Sequence, residues 1–483
     1  MKSAMLYPES HCLSTNVGCS MPQRYDSIIL GAGTTAFAAG RVLAAKGKKV
    51  LMIEQSLLGG TCVNWGCVPS KTLIHKAEMY HAARRGERWG LNLSAGRPDC
   101  STLMSLKRDA VENLRNHHYQ HEISHTENLD VHFGHGRFLS DHIVATETDR
   151  FTAPDILIAT GGHARVAPIP GIEKIKYLTY NSALHLPCFP KSLIILGGGV
   201  IALEMGQMFA RFGTRVTILE RNSKLLSEFD PRLTEQFRAM LQSEGIEILF
   251  NVETEQIEQQ GDQVCLHAKV DGEPTNVVAE RFMFAIGTAP ATEGLGLEMI
   301  GVETNPGGFV KVDAYQRTNI PGIWAAGDVT GSPMIAPAGA REAQMAAQNI
   351  LDPHAGHSID HHLSPMAVFV DPEFAIVGLN REQAEKEGYQ VVTTYLGIDW
   401  VPKAHVMGEQ LGGFLLNAEQ GTGKVLGVQM LCPRAADIIH EAALAIRFGL
   451  SVVDLTTTVH VYPSISDGLR QVARDNAFTQ GLL

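Results

Sequence analysis

This 483-residue chain lacks the sequence features that indicate a membrane-spanning helix, a nucleic-acid partner or a signal peptide. No uninterrupted apolar stretch approaches the roughly 20 residues that a membrane-spanning helix needs. The net charge is −11 and there is no long basic run, which argues against a nucleic-acid partner. Residues 1–24 are polar and lack the apolar segment of a signal peptide. We therefore expect a flexible N-terminal tail over 1–24, a cytoplasmic protein, and neither a membrane nor a nucleic-acid partner.

Cysteine is also scarce, and such a scatter in a large chain argues against a disulfide scaffold. Two cysteines nevertheless lie close together, in the stretch GGTCVNWGCVPSK at residues 59–71. This pair is a candidate for redox chemistry or metal binding. A zinc site or an inert staple is disfavoured, because zinc would need two more ligands and no second pair offers them. The eight cysteines are Cys12, Cys19, Cys62, Cys67, Cys100, Cys188, Cys265 and Cys432.

What the chain does contain is glycine and apolar residues, with 47 glycines and 45% hydrophobic residues. This composition is typical of an α/β protein. The length exceeds what one ordinary core supports, so we expect roughly two to four domains.

The first recognisable unit is a dinucleotide-binding pattern near the N-terminus. The apolar strand YDSIIL is followed by the turn GAGTTA, an alanine-rich helix and a second strand that ends on Glu54. Glycines in such a turn let backbone N–H groups approach a pyrophosphate, and the acid suits a ribose hydroxyl. The predicted turn residues are Gly31, Gly33 and Ala36.

The same order of strand, turn, helix and strand recurs in SLIILGGGVIALEMGQMFARFGTRVTILE. The second set of turn residues is Gly197, Gly199 and Ala202, and the acid at the strand end is Glu220. Glu220 would favour the free 2′-hydroxyl of NADH, whereas Arg221 and Lys224 could pair with the 2′-phosphate of NADPH. The sequence leaves NADH and NADPH open. Two dinucleotide sites and a cysteine pair suggest an electron path from nicotinamide through flavin to cysteines.

These motifs resemble those of the flavoprotein pyridine nucleotide-disulfide oxidoreductases. The residues that carry the resemblance appear in the family's order and cover essentially 25–470: GAGTTA, GGTCVNWGCVPSK, ILIATGG, GGGVIALE, AAGDVTG and VFVDPEFAIVG. The resemblance implies an α/β fold with two Rossmann-like domains, for FAD and NAD(P)H, and a C-terminal α+β dimerisation domain. It also implies a homodimer. The expected division is FAD domain 25–165, NAD(P)H domain 166–290, central segment 291–360 and dimerisation domain 361–483.

The resemblance further assigns roles to single residues. Cys67 would lie against the flavin and Cys62 would face the substrate as the interchange thiol, while Lys71 and Glu204 would form an ion pair near the flavin. Electrons would pass from NAD(P)H through the flavin to the cysteine pair. Apart from the two turns and their acids, the expected cofactor-binding residues are Gly60, Thr61, Thr160, Gly161, Gly287, Gly327 and Asp328.

The C-terminal stretch VHVYPSISDGLR departs from the disulfide-reducing members, which carry a histidine before the proline. Here Tyr462 precedes Pro463, and Asp467 stands where a glutamate would orient that histidine. Mercuric reductases carry a tyrosine at this position and a second active-site tyrosine that Tyr177 matches. A thiolate pair is a natural ligand set for the soft Hg(II) ion, and reducing the ion requires no proton transfer to sulfur. The sequence thus predicts reduction of Hg(II) to Hg(0) at Cys62 and Cys67.

Two departures leave alternatives open. The C-terminal cysteine pair and the N-terminal metal-binding domain of mercuric reductases are missing, and the last cysteine is Cys432. Cys12 and Cys19 are candidates for a replacement shuttle. The acceptor could also be another soft ion such as Cu(II), or a small disulfide reduced as in dihydrolipoamide dehydrogenase with His460 as a displaced base. A flavin-bearing redox sensor with little turnover is the third alternative.

Histidine is abundant, with 20 residues, and two clusters are noticeable. Their residues are His117, His121 and His125 at helical spacing, and His354, His357, His361 and His362 in a predicted loop. We interpret both as surface histidines, with a peripheral metal site as the alternative.

Overall fold

The computed structural model describes residues 21–331 and 333–483. Over these residues the chain forms the following strands: β1 Gln23–Arg24, β2 Ser27–Leu30, β3 Val50–Glu54, β4 Leu129–Phe133, β5 Arg137–Ser140, β6 Ile143–Ala145, β7 Arg150–Thr152, β8 Asp155–Ile158, β9 Gly162–Ala164, β10 Ser192–Leu196, β11 Arg215–Leu219, β12 Glu247–Leu249, β13 Val252–Gln260, β14 Gln263–Val270, β15 Glu273–Ala279, β16 Arg281–Phe284, β17 Thr288–Pro290, β18 Ile323–Ala325, β19 Met366–Val368, β20 Glu373–Gly378, β21 Val391–Gly397, β22 Gly413–Glu419 and β23 Val425–Cys432.

Helices alternate with these strands in the first two thirds of the chain and flank an antiparallel sheet in the last third. The helices are α1 Thr34–Ala44, α2 Gly60–Asn64, α3 Cys67–Arg84, α4 Cys100–Arg115, α5 His121–His125, α6 Tyr180–Leu184, α7 Val200–Arg211, α8 Pro231–Ser243, α9 Leu297–Ile300, α10 Ala336–Leu351, α11 Arg381–Lys386, α12 Pro402–Met407, α13 Ala435–Arg447, α14 Val452–Thr457 and α15 Asp467–Gln480.

The first nucleotide unit is a five-stranded parallel sheet in the order β18-β8-β2-β3-β4. Every residue of β2 and β3 is buried. Strands covered on both faces read as continuous apolar runs, which is why SIIL and VLMIE appear without polar alternation. Helix α1 packs between this sheet and α10, with Phe37 and Ala39 in the shared core.

The second nucleotide unit is a four-stranded parallel sheet in the order β12-β11-β10-β16. An antiparallel sheet of β13, β14 and β15 packs its apolar face on this unit. The first sheet contains chain segments that precede and follow the second unit in sequence. Strand β8 precedes that unit, β18 follows it, and the two strands pair in parallel.

The C-terminal third forms a five-stranded antiparallel sheet in the order β19-β20-β23-β22-β21. Helices α13 and α15 cover it and bury residues such as Ile439 and Leu469 in a common core. The expected α/β class with a separate α+β C-terminal part is therefore confirmed.

Two expectations need correction. The predicted tail over 1–24 is too long, because Gln23 and Arg24 form β1 and pair in parallel with β7. Cys12 and Cys19 lie outside the described residues. The cysteine scatter also contains one disulfide, Cys100–Cys188, which joins the start of α4 to the segment after α6 with their Cα atoms 5.2 Å apart. Spacing in sequence hides this pair because 88 positions separate its members.

Among the described residues, no helix combines the length and apolar character needed to cross a membrane.

Candidate active site

The first nucleotide turn is shaped by glycine where the chain leaves β2. Gly31 has a φ of +106°, and a Cβ atom there would lie 2.4 Å from the carbonyl oxygen of Ala159. Gly33 immediately precedes α1, and it faces Gly60 so closely that a Cβ on Gly60 would be 2.8 Å from the Gly33 Cα atom. The turn therefore leaves an open cradle at the N-terminus of a helix, where a phosphate group is favoured.

Glu54, at the end of β3, lies beside this cradle with both oxygens anchored to backbone. Its Oε2 accepts the Ala32 N–H at 2.8 Å and its Oε1 accepts the Ser56 N–H at 2.7 Å. Burial raises the pKa of Glu54, and these donated hydrogen bonds work in the opposite direction. An adjoining cleft of about 300 Å³ is lined by Glu54, Thr160 and His163 among others. A carboxylate fixed at such a cleft is suited to the ribose of an adenine dinucleotide.

The second nucleotide turn repeats this geometry. Gly197 has a φ of +113°, and a Cβ there would lie 2.3 Å from the Ala285 carbonyl oxygen. Glu220 accepts the Gly198 N–H through Oε2 at 2.6 Å and the Asn222 N–H through Oε1 at 2.8 Å. The Asn222 side-chain amide donates a second hydrogen bond to Oε1, which is the third that the Glu220 carboxylate accepts. The second acid is thus held in the same way as the first, and Asn222 is a supporting residue that sequence reasoning did not find.

The cysteine pair sits where two short helices meet. Cys62 lies in α2 and is partly buried, whereas Cys67 is the first residue of the 18-residue helix α3 and is exposed; both are free thiols. Asn64 fixes α2 between them, since its buried amide donates to the Leu58 carbonyl and accepts from Arg115. Asn64 and Arg115 are further supporting residues that the sequence did not single out.

The two thiols differ in acidity. A hydrogen bond from Cys62 and the charge of Lys71 lower the pKa of Cys67 to about 7, against the opposing effect of the protein atoms around its sulfur. The pKa of Cys62 is raised, because it donates that hydrogen bond and because it is buried. A thiolate at the first position of a helix is also favoured by the helix dipole. Cys67 is therefore the sulfur that holds negative charge near neutral pH.

Lys71 and Glu204 are brought together as expected of an ion pair. Lys71 lies one helical turn after Cys67 on α3, and its Nζ atom is 2.6 Å from Glu204 Oε2. The other oxygen of Glu204 accepts the Phe369 N–H at 2.9 Å, and Lys71 Nζ lies 4.8 Å from the centre of the Phe369 ring. Helices α3 and α7 and the segment after β19 thus converge on one cation. Phe369 belongs to VFVDPEFAIVG, a motif that pointed to the family but not to this role.

Gly327 and Asp328 follow β18 and lie against the start of α1. A Cβ on Gly327 would be 2.7 Å from Thr35 Oγ1, so only glycine fits. The Gly327 N–H donates to Glu342 of α10 at 2.6 Å. Burial, together with the nearby charge of Asp328, raises the pKa of Glu342 to about 7. Burial likewise raises the pKa of Asp328. Glu342 has no sequence signature, because it reads as an ordinary charged residue of a helix.

The structure distinguishes two tyrosines that lie three positions apart, Tyr177 before α6 and Tyr180 at its first position. Tyr177 is exposed and packs edge-to-face on Phe284, with ring centroids 5.3 Å apart. Burial and the charges of Asp328 and Cys67 raise the pKa of Tyr180 to about 12. Tyr180, at the first position of α6, is thus a phenol within electrostatic range of Cys67, and Tyr119 is another.

Among the C-terminal residues, the histidine–carboxylate contact joins His460 to Glu441 and does not involve Asp467. Tyr462 is 73% exposed on a loop. His460 contacts the Glu441 carboxylate through Nε2 at 2.8 Å and the Thr458 carbonyl through Nδ1 at 2.9 Å. Asp467 accepts from Arg470 and Gln471 of its own helix. Both ring nitrogens of His460 are therefore engaged, and Asp467 is committed to the start of α15.

The structure also describes the remaining residues that were predicted to bind the cofactors. Thr160 Oγ1 donates to the Ala291 carbonyl at 2.7 Å, and Gly161 and Gly287 have positive φ. Arg221 is exposed beside the second turn. Buried Ala36 and Ala202 let their helices pack closely, and Thr61 lies in α2 beside Cys62.

The histidine clusters do not converge on a common point among the described residues. A π-helical turn at Asn116–Gln120 interrupts the predicted helical face, and the rings of His121 and His125 stack 3.9 Å apart. In the second cluster, His361 and His362 instead contact Glu342 and Glu387 at 3.2 and 3.4 Å.

Comparison with known families supports this organisation. A model described as pyridine nucleotide-disulphide oxidoreductase matches residues 25–343, and one described as its dimerisation domain matches residues 364–473.

Individual relatives cover nearly the whole chain. Mercuric reductase from Bacillus cereus is 36% identical, over 92% of this chain and 70% of the relative. Mercuric reductase from Streptomyces lividans is 36% identical, over 93% and 96%. Dihydrolipoyl dehydrogenase from Geobacillus stearothermophilus is 30% identical, over 92% and 94%.

Among solved structures, the Cu(II) complex of the HOCl-induced flavoprotein disulfide reductase RclA from Escherichia coli has a TM-score of 0.84. It is 29% identical, with 94% of this chain and 99% of that chain covered.

Proposed function

The chain belongs to the pyridine nucleotide-disulphide oxidoreductases, which use FAD and NAD(P)H, and on that premise we propose that it reduces a soft metal ion, Hg(II) first, at Cys62 and Cys67. The overall change is Hg²⁺ + NAD(P)H → Hg⁰ + NAD(P)⁺ + H⁺, in which two electrons reach the metal. FAD, held at the first turn, supplies the two-electron relay between nicotinamide and cysteines. The residues of this chain bind and orient the reactants.

The observation that carries the proposal is the exposed Tyr462 before Pro463, where the disulfide-reducing members carry a histidine. A dithiol or disulfide substrate needs a base that moves protons as sulfur atoms exchange. His460 is held by Glu441 and Thr458, and the position before Pro463 carries an exposed tyrosine. Metal reduction at a thiolate pair needs no such base, since the thiol protons are lost on binding and the metal takes only electrons.

The cysteine pair is suited to this ion. Cys67 holds a thiolate near neutral pH, and Lys71 lies on the same helix to balance its charge. Hg(II) prefers two sulfur ligands, and the pair offers two free thiols, one of them exposed.

The second turn favours NADH as the electron donor. Glu220 is buried, and its two oxygens are fixed by three hydrogen bonds from Gly198 and Asn222. A fixed carboxylate accepts from the ribose hydroxyls of NADH and repels the 2′-phosphate of NADPH. Arg221 is exposed and could instead pair with the 2′-phosphate of NADPH. Unlike Glu220, it does not anchor the turn.

We also propose that the protein functions as a homodimer. Apolar side chains of the C-terminal part are widely exposed in the single chain, among them Val459 at 95%, Val461 at 79% and Phe448 at 70%. A second copy that covered this surface would remove it from water. The loop that carries Tyr462 would then lie at the contact between subunits.

Cu(II) is a second candidate substrate, favoured by the likeness to the RclA structure, which was solved as a Cu(II) complex. Reduction of Cu(II) to Cu(I) takes one electron, so one NADH would reduce two ions.

The deciding experiment measures NADH and NADPH oxidation with Hg(II) and excess thiol, with Cu(II), with lipoamide and with oxidised glutathione. We expect Hg(II)-dependent oxidation that Cys62→Ala abolishes and that the matched Cys100→Ser/Cys188→Ser variant retains. Rapid lipoamide turnover that survives Tyr462→Phe would overturn the metal-ion proposal. Full Hg(II)-dependent activity in Cys62→Ala/Cys67→Ala would show that the pair is not the site.

A further inference from the structure

A cysteine, a histidine and a glutamate lie close together on the sheet formed by β13, β14 and β15. Glu258 of β13 is the cross-strand partner of Cys265 in β14, and His267 follows two positions along β14. One potential ligand atom from each of the three lies within 4.8 Å of the others. None of them belongs to the nucleotide turns or to the Cys62–Cys67 pair.

The alternation of the strands places the three side chains on one face. Side chains along a strand point to opposite faces in turn. Ile257 and Leu266, which flank the cluster, pack into the hydrophobic core of the nucleotide unit. Glu258, Cys265 and His267 therefore share the face that points away from that core.

The cysteine of the cluster is buried, whereas its glutamate and histidine are partly exposed. Cys265 is only 2% exposed, whereas the side chains of Glu258 and His267 are 43% and 31% exposed. A cation can reach the sulfur from solvent along these two side chains. Their exposed ends can also rotate, so that the ligand atoms close to the roughly 3.5 Å separation found around a tetrahedral ion.

His267 is oriented in the manner of a metal-binding histidine. Its Nδ1 lies 2.8 Å from Asn276 Oδ1 on β15, and its Nε2 lies 3.3 Å from Glu258 Oε1. Metal-bound histidines commonly donate their other ring N–H to an oxygen, which fixes the ring and the tautomer. Asn276 supplies that oxygen, so Nε2 is the nitrogen left to face Glu258 and Cys265.

We propose that Glu258, Cys265 and His267 form a Zn²⁺-class metal site on the nucleotide domain, separate from the redox cysteines. One thiolate, one imidazole and one carboxylate are a mixed donor set that suits Zn²⁺, and water would complete four-coordination. Binding converts the Cys265 thiol to a thiolate and releases one proton to solvent, with no change of oxidation state. Asn276 acts as a positioning residue for His267.

The test uses full-length, FAD-loaded protein in a Cys62→Ser/Cys67→Ser background, so that the redox pair cannot bind metal. Co²⁺ serves as the probe, because its tetrahedral ligand-field bands lie to the red of flavin absorption, and Zn²⁺ is then titrated in competition. We expect one Co²⁺ per chain and displacement by Zn²⁺. His267→Gln and Cys265→Ser should abolish the bands, and Asn276→Ala should weaken Co²⁺ affinity by about tenfold or more.

Glu255→Gln is the matched control for Glu258→Gln. Glu255 lies on the same strand and pairs with Lys269, outside the cluster, so its loss removes the same charge. Glu258→Gln should weaken Co²⁺ binding and Glu255→Gln should not. Absence of tetrahedral bands in the background protein, or equal binding by His267→Gln, would overturn the proposal. Since the His267 side chain is 31% exposed, that variant tests the site with little disturbance of the fold.

Discussion

The Nζ atom of Lys71 lies 2.6 Å from Oε2 of Glu204, although 133 positions separate the two residues. Lys71 is on the helix that starts at Cys67, whereas Glu204 is on the first helix of the second nucleotide unit. Glu204 is nearly fully buried and Lys71 is about one third exposed. The pair therefore connects α3, which begins at Cys67, to the second nucleotide unit, and its two charges act on Cys67 in opposite directions.

That opposition gives the first prediction. In the reduced wild-type protein, alkylation of Cys67 by iodoacetamide should rise with pH around a midpoint of about 7, because the thiolate is the reactive form. Lys71→Met should move the midpoint upward and Glu204→Gln should move it downward. Mass spectrometry of the Cys67 peptide after timed alkylation measures both shifts.

Lys76→Met is the control for Lys71→Met, since it removes the same charge from the same helix farther from Cys67. Its midpoint should match the wild type. Shifts of the same sign in Lys71→Met and Glu204→Gln would contradict the electrostatic explanation.

The second prediction concerns the electron donor. NADH should give a higher kcat/KM than NADPH, and Glu220→Gln should lower kcat/KM for NADH about tenfold, the effect of losing about 1.4 kcal/mol of binding. Arg221→Gln should leave NADH turnover unchanged, because Arg221 is exposed and does not anchor the turn. Steady-state kinetics with both nucleotides measure the ratio. A preference for NADPH that Arg221→Gln removes would show that the arginine, and not Glu220, sets the specificity.

The third prediction separates the two tyrosines. Tyr180→Phe should lower Hg(II)-dependent turnover by roughly tenfold, whereas Tyr177→Phe should change it by less than about twofold. The reason is that Tyr180 lies within electrostatic range of Cys67, whereas Tyr177 packs on Phe284. A larger loss in Tyr177→Phe than in Tyr180→Phe would support the assignment of Tyr177 made from the sequence.

The fourth prediction is a pH dependence of stability that arises at Glu342. Its pKa in the folded protein is raised from 4.5 to about 7, so the folded state holds a proton that the unfolded chain releases. The stability from this group is fully present below pH 4.5 and is lost as pH rises towards 7, in total on the order of 3 kcal/mol. Burial lowers the pKa of the facing His361, so near pH 7 that ring offers Glu342 little compensating charge.

Urea denaturation of the FAD-loaded protein at pH 5 and pH 8 provides the measurement. Glu342→Gln mimics the protonated acid and should remove most of the decline seen in the wild type between these values. Glu385→Gln, an exposed helix position paired with Arg381, is the control and should keep that decline. An unchanged decline in Glu342→Gln would assign the pH dependence to other groups.

Much of the fold and of the site could be predicted from the sequence, because the nucleotide turns combine buried strands, glycines and an acid at fixed spacing. Glu54 and Glu220 hold the backbone N–H groups of the turns that the pattern indicated. The cysteine motif likewise located Cys67 at the first position of a helix.

What could not be predicted depends on residues that are distant in sequence and carry no pattern. Glu342 reads as a surface residue of a helix, yet tertiary packing buries it under Gly327. The Cys100–Cys188 disulfide depends on α4 meeting the segment after α6, which spacing alone does not reveal. Tyr177 lies just before α6 and Tyr180 begins it, a difference of three positions that is beyond the precision of motif alignment.

The matched anchoring of Glu54 and Glu220 has a consequence for how the two cofactors find their places. Each acid accepts hydrogen bonds from backbone N–H groups 22 positions before it and 2 positions after it, so the two turns follow one design. An ADP fragment would not distinguish the two turns, because the acid of each turn is held in the same way. Discrimination would then come from the parts of the ligands that differ, the isoalloxazine and the nicotinamide. ADP-ribose should therefore compete at both turns, whereas riboflavin and nicotinamide fragments should not.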